Sequence, residues 1–367
     1  MSGKEESRGP MAQSKVTVRD VARAAGLSVA SVSRALSGSR PVRPEIARRV
    51  AEAAELLGYR PDPVARALSL GSTSSIGLVV PDIMTPFFPS LAEAVERTLR
   101  SAGLSMLLMN AENDADWEQN CIHELISRRV DGLLISATHR TRSRKAIEEA
   151  SKVIPVVQID RFATASVDRV VTDATKTIQL CVDHMAAQGC TTFAFVGAKS
   201  SASPARARHL AFQRVSRVID PEAPSRVLTS DFSMDWGYDA AKLIANRWPE
   251  VDAVVCANDL IALGVVQGSI DLGRDIPKEL AVTGCDDTFF SGVSRPTVTS
   301  IAQPVWEIAR TGIDLLDRYT RERHAVSIEL DPELHIRGST VRLGVTVLPQ
   351  ASPGPPAPRP SAEASRA

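Results

Sequence analysis

A chain of 367 residues is long enough for two or three domains rather than one core, and its 44% apolar composition is that of an ordinary globular protein. No apolar run approaches the ~18 residues that a membrane span requires, even the richest, from Ile76 to Val80, so no membrane partner is expected. The net charge of zero conceals a split: residues 15–71 carry ten basic against five acidic side chains, residues 1–14 balance, and the remainder is −5. A basic module joined to an acidic body is the distribution expected when one end of a chain binds phosphates.

The opening MSGKEESRGPMAQSK contains no apolar segment of the secretory kind, and a cytoplasmic location is expected. Residues 1–14 and 349–367 are rich in Ser, Pro, Gly, Ala and charge without periodic hydrophobics, and read as disordered tails. From 15 to 61 the pattern is one of short helices. Thr17 and Asp20 have capping-box spacing ahead of Val18, Val21 and Ala22, and Gly26 breaks the helix. Ser28 suits the cap of a second helix with Val32 and Leu36 one turn apart. Pro44 suits the first turn of a third, whose apolar face is Ile46, Val50, Ala53, Ala54 and Leu57, with Gly58 as the stop. A fourth segment, within the stretch 62–74, runs from Asp62 through Arg66 and Leu68 to Gly71 and is too short to be stable as an isolated helix.

From 75 onward the style changes. Apolar runs at 76–80, 104–109, 132–136, 155–159, 193–197, 253–257 and 280–284 are separated by helix-length intervals. Near-continuous apolar strands of that kind belong to parallel sheets covered on both faces, and the stretch 75–348 is large enough for two of them. The predicted fold is a small all-α domain followed by a two-lobed parallel-sheet α/β core. Cys121, Cys181, Cys190, Cys256 and Cys285 are widely spaced and form no Cys-x-x-Cys pair, so buried free thiols are expected, with no metal and no cofactor.

The stretch TVRDVARAAGLSVASVSRALSG has the form of a helix-turn-helix, whose second helix enters the DNA major groove. On that geometry Val29, Ala30 and Arg34 face bases, with Arg34 able to make a bidentate pair to guanine and the other two offering methyl contacts. The hydroxyls of Thr17, Ser28, Ser31 and Ser33 suit phosphate oxygens, and Ser28 serves equally well as a helix cap.

From Val16 to Asp82 the sequence resembles the LacI/GalR family of transcriptional regulators almost position by position, through the Ala-Gly-Leu-Ser turn, the Val-Ser-Arg core, the Leu-Gly-Tyr exit and the Pro-x-x-Ala-Arg-x-Leu hinge. The resemblance implies that the hinge segments of two protomers pair on DNA and insert Leu68 into the minor groove, with Arg66 facing groove or backbone. It implies a core shared with periplasmic sugar-binding proteins, of type I, in which the chain crosses three times between lobe 1 (about 75–173 and 303–332) and lobe 2 (about 174–302 and 333–348). An effector binds between the lobes. At the strand ends that would face it stand Phe87, Phe88, Asp160, Arg161, Arg208, Phe232, Trp236, Asn258 and Asp286. Guanidinium and carboxylate groups converging there suit vicinal hydroxyls, although the aspartates equally suit helix caps and Phe88 the core. Where relatives read Asp-Asn-x-x-Gly-Ala, this chain reads Asp173-Ala174-Thr175-Lys176-Thr177, a departure at the first crossing.

The expected activity is therefore regulation rather than enzymatic catalysis. There is no Gly-x-Gly-x-x-Gly after the first strand, no Walker loop, no Gly-x-Ser-x-Gly elbow and no metal-ligand spacing among the histidines. The expected assembly is a homodimer on a pseudo-palindromic operator of double-stranded DNA, a repressor switched by a sugar or sugar derivative. A purine or nucleoside effector and an activating role are the alternatives; a solute-binding protein is disfavoured by the headpiece.

Overall fold

A computed structural model describes residues 16–37, 42–60, 71–199, 201–319 and 324–342. The predicted tails and most of the hinge segment, with Arg66 and Leu68, lie outside the described residues. The chain divides into two units between Ser74 and Ser75.

The first unit contains α1 (Val18–Ala25), α2 (Val29–Ser37) and α3 (Pro44–Leu56). Its apolar spacing converges on a small core in which Val21, Val32 and Val50 are almost wholly buried, with Ala22, Ala25 and Ala53 around them. The Asp20 carboxylate accepts hydrogen bonds from the Thr17 amide (3.0 Å) and hydroxyl (2.7 Å) at the start of α1. Gly26 ends that helix at φ 61°, a left-handed conformation that costs glycine little. Arg49 reaches from α3 to donate to the Ala25 carbonyl at 2.6 Å, satisfying one of the acceptors that the end of α1 leaves unpaired.

In the second unit, continuous apolar runs become strands, buried on both faces except for the one at 104–109, which forms a partly exposed edge strand. The order is β1 (Ser75–Val80), α4 (Phe87–Ser101), β2 (Ser105–Asn110), α5 (Ala115–Ser127), β3 (Gly132–Ile135), α6 (Arg144–Ala150), β4 (Val156–Ile159) and β5 (Asp168–Thr172). There follow α7 (Ala174–Ala187), β6 (Phe193–Ala198), α8 (Ser203–Val215), β7 (Val227–Ser230), α9 (Met234–Arg247), β8 (Ala253–Cys256), α10 (Asp259–Asp271), β9 (Ala281–Cys285), α11 (Phe289–Val293) and β10 (Thr299–Ala302). The chain closes with α12 (Val305–Asp317), β11 (Ser327–Leu330) and β12 (Glu333–His335).

Two six-stranded sheets result, ordered β11-β5-β4-β3-β1-β2 and β12-β10-β9-β8-β6-β7, parallel except for the antiparallel pair β10/β12. Each is one lobe, and the chain passes between them after β5, after β10 and after β11. The helix α12 returns to the first lobe, where Ile308 and Ala309 pack with Leu78, Leu91 and Val157. At the first crossing, Asp173 caps α7 by accepting from the amides of Thr175 (2.7 Å) and Lys176 (3.0 Å), which gives the unusual Asp-Ala-Thr-Lys-Thr stretch a plain role as a helix start. In the second lobe α9 and α10 pack backbone to backbone: a Cβ on Gly264 would lie 2.0 Å from the Met234 carbonyl oxygen. All five cysteines are buried and unpaired.

Candidate functional site

In the first unit the buried Val32 fixes which side of α2 faces outward. Val29, Ala30 and Arg34 are on the exposed side, and Val29 retains 45% of its accessible surface. An aliphatic residue held in water beside an arginine is suited to an apolar groove feature such as a thymine methyl. The Arg34 Nε donates to the Ala30 carbonyl at 3.1 Å, laying the guanidinium along the helix. Ser28 caps α2, its Oγ accepting from the Ser31 amide at 3.2 Å and lying 2.9 Å from the Ser31 hydroxyl. Thr17 is engaged with Asp20, and Ser33 is half-buried on the same helix.

In the second unit, loops leaving the C-terminal ends of both sheets meet in a cleft, the place where open α/β sheets bind ligands. The first lobe contributes Phe87, Phe88, Asp160 and Arg161, and the second contributes Arg208, Phe232, Asn258 and Asp286. Phe87 and Phe88 sit edge to face at the start of α4, with centroids 5.3 Å apart. The guanidinium of Arg161 lies over Phe88 at 5.2 Å and over Phe232 at 5.3 Å, so rings from the two lobes enclose one cation. Asp160 and Asp286 occupy corresponding strand ends, after β4 and β9, and both have left-handed backbones, with φ of 60° and 107°. Such conformations are uncommon for non-glycine residues and cluster where a side chain must be aimed.

The charges alternate. Arg161 lies 3.9 Å from Asp160 and Arg208 lies 4.0 Å from Asp286, and all four side chains are about nine-tenths buried or more. Arg208 donates to the Ala257 carbonyl at 2.7 Å. Among the described residues no group accepts a hydrogen bond from the Arg161 guanidinium, so its donors are aimed into the cleft. Burial raises the Asp160 carboxyl above its ordinary range, and burial, opposed by Arg208, pushes Asp286 up to about 6. The central pocket holds about 20 Å³, between cavities of about 410 Å³ toward Asp82 and Lys199 and about 260 Å³ toward the crossings at Thr172 and Gln303. The lobes are closed on one another at the centre.

Trp236 does not line this cleft: its indole N–H donates to the Gly197 carbonyl at 2.9 Å, and the ring packs on the core of the second lobe. Asn258 lines the cleft while its Oδ1 caps α10 through the Ile261 amide at 3.0 Å. Thr85, Pro204 and Gln303 complete the wall and escape a reading of the sequence. Gln303 follows a strand too polar to be recognised as one, and Thr85 and Pro204 carry no charge or aromatic ring to draw attention.

Residues 17–62 match the profile of the family described as bacterial regulatory proteins, lacI family, and residues 73–319 match that of periplasmic binding proteins and the sugar binding domain of the LacI family. The chain belongs to the LacI family. It is a DNA-binding transcriptional regulator with an effector-binding core. Among LacI-family relatives, the ribose operon repressor of Halalkalibacterium halodurans is 28% identical over 326 residues, 88% of this chain and 97% of its own. Catabolite control protein A of Priestia megaterium is 29% identical over 331 residues, 89% of this chain and 99% of its own. Of the solved structures, the Lac repressor dimer bound to operator and the anti-inducer ONPF aligns with a TM-score of 0.79 at 23% identity, covering 89% of this chain and 99% of that one. A complex of the regulator CelR with cellobiose aligns with a TM-score of 0.65 at 25% identity, covering 88% and 99%.

Proposed function

We propose that this LacI-family protein is a repressor that binds a pseudo-palindromic operator as a homodimer and is switched by a neutral, single-ring sugar in the cleft. The observation that carries the effector assignment is the alternation of two buried guanidiniums with two buried carboxylates between aromatic rings of opposite lobes. The fixed charges cancel, so a neutral ligand leaves no buried charge uncompensated. Each hydroxyl of a polyol both donates and accepts, which suits carboxylates that need donors and an Arg161 guanidinium that needs lone pairs. A flat base would stack on the same rings but offer fewer donors to Asp160 and Asp286. Relatives that match almost end to end include a ribose operon repressor and a PurR repressor from Haemophilus influenzae, which supports repression over activation.

For the headpiece, Val29, Ala30 and Arg34 are assigned to base edges and Thr17, Ser28, Ser31 and Ser33 to phosphates, with Leu68 and Arg66 of the hinge at the minor groove. Support for a dimer comes from α11, where Phe289 (76% exposed), Phe290 (50%) and Val293 (56%) lie together in five residues of helix. Exposed apolar groups at that density suit burial against a second subunit.

The test is release of the full-length protein from operator DNA by a panel of neutral monosaccharides, with and without Asp286→Asn. The variant should keep operator affinity within about threefold and lose the response, because the amide nitrogen cannot accept a hydroxyl proton. An intact sugar response in the variant removes Asp286 from the site. A protein that no sugar releases, but a nucleobase does, overturns the sugar assignment.

A further inference from the structure

The aspartate aimed into the cleft stands on a turn that the rest of the second lobe holds from several sides. Asp286 and Asp287 have φ of 107° and 49°, two successive residues in a region that non-glycine residues rarely adopt. Such a turn persists only where its surroundings over-determine it. On one side, Asp259 at the start of α10 is buried beneath the turn. Its carboxylate accepts from the Thr288 amide (2.6 Å), the Thr288 hydroxyl (2.9 Å) and the Ser300 hydroxyl (2.5 Å). Gly284 makes room for it, since a Cβ there would lie 2.3 Å from Asp259 Oδ1. On the other side, the carboxylate of Asp287 meets His335 Nδ1 at 2.8 Å and accepts from Arg337 Nη2 at 2.5 Å. The other terminal nitrogen of Arg337 donates to the Val298 carbonyl (3.0 Å) and the Ser291 hydroxyl (3.2 Å), so one guanidinium ties the turn to the loop that leaves α11.

His335 and Arg337 belong to the segment that returns to the second lobe after the third crossing. Neither lines the cleft. We infer that Arg337, with His335, is a positioning residue for effector recognition: it holds Asp287, and through it fixes the backbone that directs Asp286 at the effector. The inference rests on the assignment of Asp286 to effector binding. It adds that effector affinity is set partly by a segment outside the cleft, the end of β12 and the residues after it, buried at 14% exposure for the Arg337 side chain and 3% for His335. Loss of the guanidinium would leave the Asp287 carboxylate with His335 alone, its amide still donating to the Ser300 hydroxyl at 3.1 Å, and the strained turn freer to relax toward ordinary φ values.

The experiment compares full-length wild type, Arg337→Met and Arg337→Lys by amide hydrogen exchange and by operator release with D-ribose. In the Met variant, exchange across 286–294 should rise about tenfold or more while strands β6, β8 and β9 keep their protection. The D-ribose concentration for half-release should rise about tenfold with operator affinity unchanged within about threefold, and the Lys variant, which retains the charge beside Asp287, should recover part of both. Unchanged exchange in the turn overturns the inference, as does a loosened turn with a normal D-ribose response. Wild type that ignores D-ribose excludes that sugar as the probe and leaves the sugar assignment to the monosaccharide panel, and the exchange measurement then decides the clamp by itself. Should Arg337→Met fail to fold, Asp287→Asn, which weakens the same contacts from the other side, is read by the same criteria.

Discussion

Gln303 donates its side-chain amide to Asp286 Oδ1 at 2.7 Å, and its carbonyl accepts from the Thr172 hydroxyl at 2.8 Å. One residue at the second crossing thereby joins the first crossing to a carboxylate that lines the cleft. Any change in the angle between the lobes acts on both bonds at once, so the bridge is a natural reporter of cleft opening. Replacing Gln303 by Leu leaves Asp286 Oδ1 with only the Arg208 ion pair at 4.0 Å and takes the acceptor from the Thr172 hydroxyl. Effector affinity measured by calorimetry should fall about ten- to a hundredfold, corresponding to the loss of a hydrogen bond to a charged group. Unchanged affinity would show that Asp286 is held without it.

Arg34 on the outer side of α2 is the only proposed base contact that can discriminate by hydrogen bonding. Arg34→Ala should cost about 1–3 kcal/mol on operator and relax preference at one base pair per half-site, while affinity for scrambled DNA changes little. Competition binding at fixed salt checks this; equal losses on both DNAs would reassign the residue to the phosphate backbone.

Asp259 gives the core a pH signature whose direction follows from its burial. Burial foremost, and then the neighbouring Asp286, pushes its carboxyl up to about 7, against the opposing hydrogen bonds from Ser300 and Thr288. The unfolded value is near 3.9, so between about pH 4 and 7 the native state binds the extra proton. The contribution is complete below that window and is lost as pH rises through it, by at most about 1.4 kcal/mol per unit. In urea unfolding between pH 5 and 8, Asp259→Asn should flatten the fall relative to wild type; parallel curves would place the proton elsewhere.

Gly264→Ala tests the contact between α9 and α10, which carry Ser233 and Asn258 as their caps at the cleft side. A methyl group 2.0 Å from the Met234 carbonyl oxygen forces the two helices apart. Tm should drop by about 5 °C or more. A smaller drop would mean that the pair slides without cost.

The apolar runs of β1, β3, β4, β6, β8 and β9 were legible because a strand buried on both faces must be continuous in hydrophobics, and β2 was legible from its run of Met and Leu although it lies at a sheet edge. The strands that were not, β5, β7, β10, β11 and β12, fail that test for different reasons. Ser327–Leu330 and Val227–Ser230 lie at sheet edges with one side in water, and Asp168–Thr172 pairs with the former. Thr299–Ala302 is interior yet polar, its Thr299 and Ser300 hydroxyls bonded to Thr340 and Asp259. Cleft-lining residues were legible where charge or an aromatic ring followed a recognisable strand, as with Asp160, Arg161 and Asp286. Gln303 followed one that was not recognisable. Trp236 was the converse case, an aromatic residue at the expected distance whose polar atom is bound by Gly197.

The placement of β11 and β12 bears on how the protein is made. Residues 327–330 add an edge strand to the first sheet and residues 333–335 add one to the second, so each lobe is finished by neighbouring pieces of the same short stretch. During synthesis neither lobe can seal its sheet well before the other, although the first has all its other strands some 150 residues earlier, about 10 s of elongation. Until Ser327–Leu330 emerges for β5, and Glu333–His335 for β10, these strands present open backbone edges of the sort that recruit foreign strands. Translation pausing upstream of this stretch is therefore the point at which a nascent chain is most in need of a chaperone.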